Sequence, residues 1–165
     1  MPRTGKVPKR QIQPDSIYNS LIVAKLINKI MTEGKKTIAQ KIVYETFSAI
    51  KEQGQDPIAT LEKALENIMP KMEVKPRRVG GASYMVPIEV RGPRRQSLAI
   101  TWLVTSARAR TAKEIEVKPK NKPLMIAKLT AELTQAANNE GKAVAKKEEM
   151  NRMAEANKAF AHFRW

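Results

Sequence analysis

The stretch from Lys71 to Arg95, KMEVKPRRVGGASYMVPIEVRGPRR, decides the fold. Met72, Val74 and Pro76 alternate with Glu73, Lys75 and Arg77 ahead of Gly80-Gly81. Beyond that pair, Tyr84, Val86, Ile88 and Val90 alternate with Met85, Pro87, Glu89 and Arg91. Period-two alternation on both sides of a Gly-Gly turn predicts a β-hairpin over 71–91. Pro76 and Pro87 each remove a ladder donor, so neither strand suits the interior of a larger sheet. The expectation is a lone two-stranded arm, which is marginal in water unless it packs on something.

The charge of the stretch suggests a partner. Lys71, Lys75, Arg77, Arg78, Arg91, Arg94 and Arg95 stand against only Glu73 and Glu89. A folding core does not need that excess. A phosphate backbone does, because neutralising phosphates releases counterions and drives binding. A solvated surface hairpin kept soluble by its cations is the plainer alternative.

The whole chain shares the bias. Its 165 residues suggest one domain, and 42% hydrophobic residues suffice for a core. Thirty-one Lys and Arg against 16 Asp and Glu give a formal net charge of +15. Nucleic acid is the default polyanionic partner for such a chain. A membrane surface is the competing one, but no apolar run approaches the ~20 residues needed to span a bilayer. No helix pairs a broad aromatic and Leu face with a Lys/Arg-rich one, as interfacial helices do. Cysteine is absent, which excludes disulfides, thiolate chemistry and Cys-based zinc sites. The opening MPRTGKVPKRQIQPD has no apolar signal core and too little Ser for a transit peptide, so the protein is expected to stay where it is made.

Helical patterns flank the hairpin. Residues 1–14, with Arg3, Lys6, Lys9 and Arg10 among three prolines, read as an extended basic arm. Asp15 or Ser16 can cap a first helix whose stripe runs through Ile17, Leu21, Ala24, Ile27 and Met31, widened by Ile22, Leu26 and Ile30, and which Gly34 ends. Thr37 and Gln40 have capping-box spacing for a second helix burying Ile38, Ile42, Val43, Phe47 and Ile50. Asp56-Pro57 opens a third, with Ile58, Leu61, Leu65 and Ile68 inward and Glu62, Lys63, Glu66 and Asn67 outward. A fourth, about 93–111, buries Leu98, Trp102 and Ala109, extended by Leu103 and Ala107. Residues 112–123 read as a lysine-rich loop. A fifth helix, about 124–139, buries Ile126, Leu129, Leu133, Ala136 and Ala137. A sixth, about 142–157, carries Val144, Met150 and Met153 on its apolar side. The predicted fold is mainly α: a single compact domain of about six helices with an inserted two-stranded β-hairpin arm and an extended basic N-terminal arm. Its parts are the arm 1–14, a helical domain 15–157 containing the hairpin and expected to bind nucleic acid, and a tail 158–165.

No catalytic constellation is visible, and no enzyme, metal or cofactor is expected. His162 is the only histidine and sits between Phe160 and Phe163, which favours contact or packing over catalysis. Most carboxylates lie on outer helix faces beside lysines. Arg78-Val79-Gly80-Gly81 lacks the spacing of a phosphate-binding loop and precedes a strand. Tyr84 at the hairpin tip, and Phe160, Phe163 and Trp165 in the tail, are candidate platforms for unpaired bases. The terminal Trp and two Phe could equally fold back onto the helices, with partner contact the favoured reading, whereas Trp102 is expected in the core.

At these residues the chain resembles a known family. VKPRRVGGASYMVPIEVRGPRR followed by LAITWLVTSAR, and the ending RMAEANKAFAHFRW, look like the bacterial or organellar form of ribosomal protein seven of the small subunit. PRTGKVPKRQIQPD, LINKIMTEGKK and ALENIMPKMEVK fit the same family in order, so the likeness covers nearly the whole chain. The resemblance implies a structural role in translation: primary binding to small-subunit ribosomal RNA, in the region that becomes the head, where the family nucleates assembly. It also implies a place beside the exit-site transfer RNA and the messenger path, with neighbouring ribosomal proteins as partners and no membrane or small-molecule substrate. The location implied is the ribosome in the cytoplasm or in an organelle with its own copy.

Carried over by the resemblance, ribosomal RNA contact falls on Arg3, Lys9, Arg10, Lys35, Lys36, Lys75, Arg77, Arg78, Arg94, Arg95, Arg108 and Arg110. The hairpin tip, Gly80, Gly81, Ala82, Ser83 and Tyr84, would face the transfer RNA and messenger site. Three departures stand out. Arg3 is followed by Thr4-Gly5 where relatives carry an arginine cluster, Pro76 replaces a small polar residue, and the segment 113–123 is long for the turn there. The rival reading is an architectural DNA-binding protein whose basic β-arm enters the minor groove. An enzyme acting on RNA is a second rival, without a visible nucleophile.

Overall fold

The computed structural model describes residue 5, residues 11–111, residue 114 and residues 123–163. The basic terminal arm with Arg3, Lys9 and Arg10, most of the lysine-rich loop, and Trp165 lie outside them.

Six α-helices, one hairpin and a closing 3₁₀ helix are formed by the described residues. The helices are α1 (Leu21–Ile30), α2 (Lys36–Glu52), α3 (Pro57–Ile68), α4 (Gly92–Ala109), α5 (Leu124–Ala137) and α6 (Lys142–Ala156). The strands are β1 (Met72–Val79) and β2 (Ala82–Glu89), and the 3₁₀ helix is Lys158–Phe163. The mainly α class with a two-stranded arm holds.

The hairpin is as its alternation predicts. β1 and β2 pair antiparallel from Met72 opposite Glu89 to Val79 opposite Ala82, and form a sheet of two strands only. Gly80 and Gly81 both take positive φ, 56° and 92°. A two-residue turn of that kind matches the strand twist and excludes most side chains. The arm escapes marginality by lying on the body: β1 packs against α6 and β2 against the 3₁₀ helix. Val86 and Val90 are buried on that side.

Local signals succeed where they stand alone. Asp56 caps α3 by accepting from the Ile58 N–H at 3.2 Å, with Pro57 in the first turn. They fail where a competing partner is nearby. The first helix begins at Leu21, not at Asp15 or Ser16. The Asp15 carboxylate accepts from the Ile17 and Tyr18 N–H groups, both at 3.2 Å, and from the Tyr44 hydroxyl at 2.8 Å. It thereby closes a separate turn, which Asn19 breaks at φ 46°. Ile17 is therefore 65% exposed, and Val23, Leu26, Ile27 and Ile30 make the buried stripe. The Thr37–Gln40 capping box does not form, because α2 already starts at Lys36. Ile38 faces solvent, and Ala39, Val43, Phe47 and Ile50 face in.

The core is the seam where α5 meets α2, α3 and α4. On α4 it runs through Ala99, Ile100, Leu103, Val104 and Ala107. Leu98 is only half-buried and Ala109 is exposed, which corrects the expected face, while Trp102 is half-buried and packs against the core as expected. α4 touches helices on several sides, so its apolar stripe is broad and its centre is set by packing. Met153 of α6 is likewise exposed, and Ala143, Val144 and Ala154 are buried. Asn67, expected outside, turns inward: its amide donates to the Ala136 and Ala137 carbonyls at 2.9 and 3.1 Å. Those carbonyls end α5, and Ala136 also accepts from the Asn139 N–H at 3.0 Å, so a neighbouring helix adds to the cap.

One polar cluster joins three helices inside this body. Glu132 of α5 is fully buried. Its carboxylate accepts from Arg110 Nε, just past α4, at 2.5 Å and from the Ala143 N–H of α6 at 2.8 Å. Gln135 Oε1 accepts from the same guanidinium. Gly141, at φ +96°, passes so close that a Cβ there would lie 3.3 Å from both Glu132 and Gln135. Removing one partner of a buried pair strands the other charge. Arg110→Ala is expected to lower unfolding free energy by about 3–5 kcal/mol in a denaturant titration, a larger loss than Lys35→Ala at an exposed pair.

Candidate nucleic-acid interface

The site begins with where the cations end up. Lys35 and Lys36 stand exposed at the start of α2, with Lys35 Nζ 2.6 Å from Glu33. A surface pair of that kind contributes little to stability. Gly34, at φ 73°, makes the tight turn that presents both.

The arm divides its charges by distance from the body. At its base, Glu73 is buried and clamped between Lys75 Nζ at 2.8 Å and Arg94 Nε at 3.3 Å. Burial opposes ionisation of this carboxyl, but the hydrogen bonds and charges of Lys75 and Arg94 outweigh it and hold the pKa below the ordinary value of 4.5. Arg95 is half-exposed and its Nε donates to the Pro70 carbonyl at 3.1 Å, tying α4 to the entry of β1. Further out, Arg77 and Arg78 are exposed, opposite Tyr84 and Ser83. The sequence-predicted cations of the arm and its root thus differ in role: Arg94 and Arg95 of α4 help dock it, Lys75 pairs with Glu73 within β1, and Arg77 and Arg78 face outward.

Arg108 lies at the far end of α4. Its Nη2 donates to the Ile30 carbonyl at 2.9 Å, closing the end of α1. Lys128 of α5 donates to the Arg108 carbonyl at 3.2 Å and adds a cation the sequence reading passed over. It lies on another helix, and only packing makes the two neighbours. Arg110 is a correction. With 4% exposure and its donors directed at Glu132 and Gln135, it offers a phosphate nothing. Position beside Arg108 in sequence suggested a surface cation, but the helix ends between them and the chain turns inward.

The aromatic expectation also changes. The Tyr84 ring centroid lies 5.2 Å from Phe160 and 5.1 Å from Phe163, so the tail folds back onto the arm. Such clustered rings attract beyond their buried area. His162 is exposed, with its ring centroid 4.0 Å from that of Phe163 and its Nδ1 2.8 Å from the Ala159 carbonyl oxygen. Gly80, Gly81, Ala82 and Ser83 stay exposed at the tip.

The family model for ribosomal protein S7p/S5e matches residues 2–158. The chain belongs to that family. Small ribosomal subunit protein uS7 from Caldicellulosiruptor bescii is 59% identical over 166 residues, all of both chains. The proteins of that name from Caldicellulosiruptor saccharolyticus and Caldanaerobacter subterraneus subsp. tengcongensis are 58% and 57% identical over the same full span. This member of the S7p/S5e family therefore has a body of six helices, an arm docked through a buried carboxylate, and an exposed pair of arginines near the arm's end.

The Glu73 clamp has a pH signature. A carboxyl whose folded-state pKa lies below its unfolded value stabilises the fold fully above the unfolded value, and loses that contribution as pH falls through the folded one. The difference in Tm between wild type and Glu73→Gln is expected to be greatest near neutrality and to shrink below the ordinary carboxyl value of 4.5. Melts by circular dichroism at several pH values check it.

Proposed function

We propose that this chain is a structural constituent of the small ribosomal subunit, acting without catalysis, and that it binds the subunit's ribosomal RNA. Membership of a ribosomal protein family, with full-length relatives named as small-subunit proteins, supports the role. The observation that carries the binding surface is the exposure of Arg77 and Arg78 on an arm whose buried carboxylate, Glu73, is paired with Lys75 and Arg94 at the root.

The mechanism is a clamp. The helical body gives a rigid base with Lys35, Lys36 and Arg108 on its surface, while Arg94 and Arg95 fix the arm to it. The arm and the N-terminal segment with Arg3, Lys9 and Arg10 lie along the RNA backbone. Phosphate contacts position the protein, and RNA shape contributes selectivity. Arg110 is left out of this surface. In line with the family resemblance, the bound region is the one that becomes the head, and the protein binds early enough to nucleate it. The tip Gly80–Tyr84 then faces the exit-site transfer RNA and the messenger path, and neighbouring ribosomal proteins complete the surroundings.

Arg77→Ala with Arg78→Ala is expected to weaken binding to a folded small-subunit ribosomal RNA fragment and to flatten the salt slope by about one to two units, since each lost phosphate contact removes about one. Filter binding across a salt series measures both. An unchanged slope would take the arm off the binding surface. Equal affinity for duplex DNA at matched salt would favour the architectural DNA-binding reading instead.

A further inference from the structure

A groove of about 300 Å³ lies between α1 and the first turns of α4. Its apolar walls are Ile12 and Ile100, and its polar rim is Lys25, Asn28, Lys29 and Gln96. None of the rim residues stands out in the sequence, where they are ordinary polar positions on two helices. The fold brings them together from both sides of the cleft: Lys25 Nζ donates to Gln96 Oε1 across it. Among the described residues, the Gln96 amide N–H groups donate to no acceptor, and the Asn28 side chain makes no hydrogen bond.

The groove's position matters as much as its chemistry. Pro93, next to Arg94, lines one end. Ile12 and Asn28 also line a second cleft that reaches Lys36 and Gln40. The groove therefore adjoins the cleft at Lys36 and reaches the start of α4. A groove of about 300 Å³ with an apolar lining has room for one flat heterocycle, amides at the rim match the donors and acceptors on a base edge, and two ammonium groups match flanking phosphates.

We propose that this groove receives a single unpaired RNA nucleotide and reads its base, with Asn28 and Gln96 as specificity-determining residues and Lys25 and Lys29 holding its phosphates. The proposal rests on the RNA-binding reading above but adds base selection to a surface otherwise reading charge and shape.

The test uses the full chain and a small-subunit ribosomal RNA fragment in which unpaired nucleotides are replaced one at a time by abasic ones. Wild type is expected to lose about tenfold or more in affinity at one position, the scale of one stacked or bidentately read base. Gln96→Ala and Asn28→Ala, both at the surface and each checked by circular dichroism, are expected to bind the intact fragment correspondingly less well. They are expected to show no further loss at that same position, with the salt slope unchanged. Lys29→Ala is expected to flatten the slope instead. The proposal is overturned if no abasic position affects wild type, or if Gln96→Ala and Asn28→Ala lose as much as wild type at every position. Failure of wild type to bind the intact fragment at all would instead overturn the RNA-binding reading itself, so the two failures are distinct.

Discussion

The buried contact between Arg110 and Glu132 is the constraint on which the rest of the architecture leans. Glu132 occupies the centre of α5, fully withdrawn from water, and binds the chain leaving α4 and the first turn of α6 with its two oxygens. A carboxylate in that position is costly unless it is paired and hydrogen-bonded, and here a guanidinium meets one oxygen and a helix N–H the other. Gly141 is tied to the same geometry, because a side chain there would press on Glu132 and Gln135. The consequence reaches beyond the core. α6 is the element on which β1 lies, so the direction of the arm is set by where α6 is pinned.

The arm's electrostatics follow from that docking. A two-stranded ribbon has too little core to hold itself, and this one is held at two places. At its root Glu73 is clamped by Lys75 and Arg94. Near its end Tyr84 is gripped by Phe160 and Phe163. Between them Arg77 and Arg78 are exposed on the outer half of β1. A ribbon anchored by one buried carboxylate and one ring cluster is presented rigidly, which lowers the entropy lost on binding an extended polyanion.

Much of the fold is legible in local patterns. The alternation around Gly80-Gly81 leads directly to the hairpin and its turn, because strand period and turn conformation are properties of a few consecutive residues. Asp56-Pro57 works as a cap for the same reason. Asp15 fails as a helix cap because Tyr44, far along the chain, competes for its carboxylate. The α4 face is misjudged because a helix with neighbours on several sides has no single apolar stripe. The site divides likewise: Arg77 and Arg78 are where their strand puts them, while Arg110, indistinguishable in sequence from Arg108, is internal.

By itself the sequence determined the elements, the excess of positive charge and the family, since these depend on neighbouring residues, on composition and on motifs read in order. Only the tertiary structure decided which charges are available to a partner. That depends on pairs remote along the chain, Glu73 with Arg94 and Glu132 with Arg110, and on the return of the tail to Tyr84. A cation's role is fixed by the nearest carboxylate in space, and no pattern along one strand or helix encodes that distance.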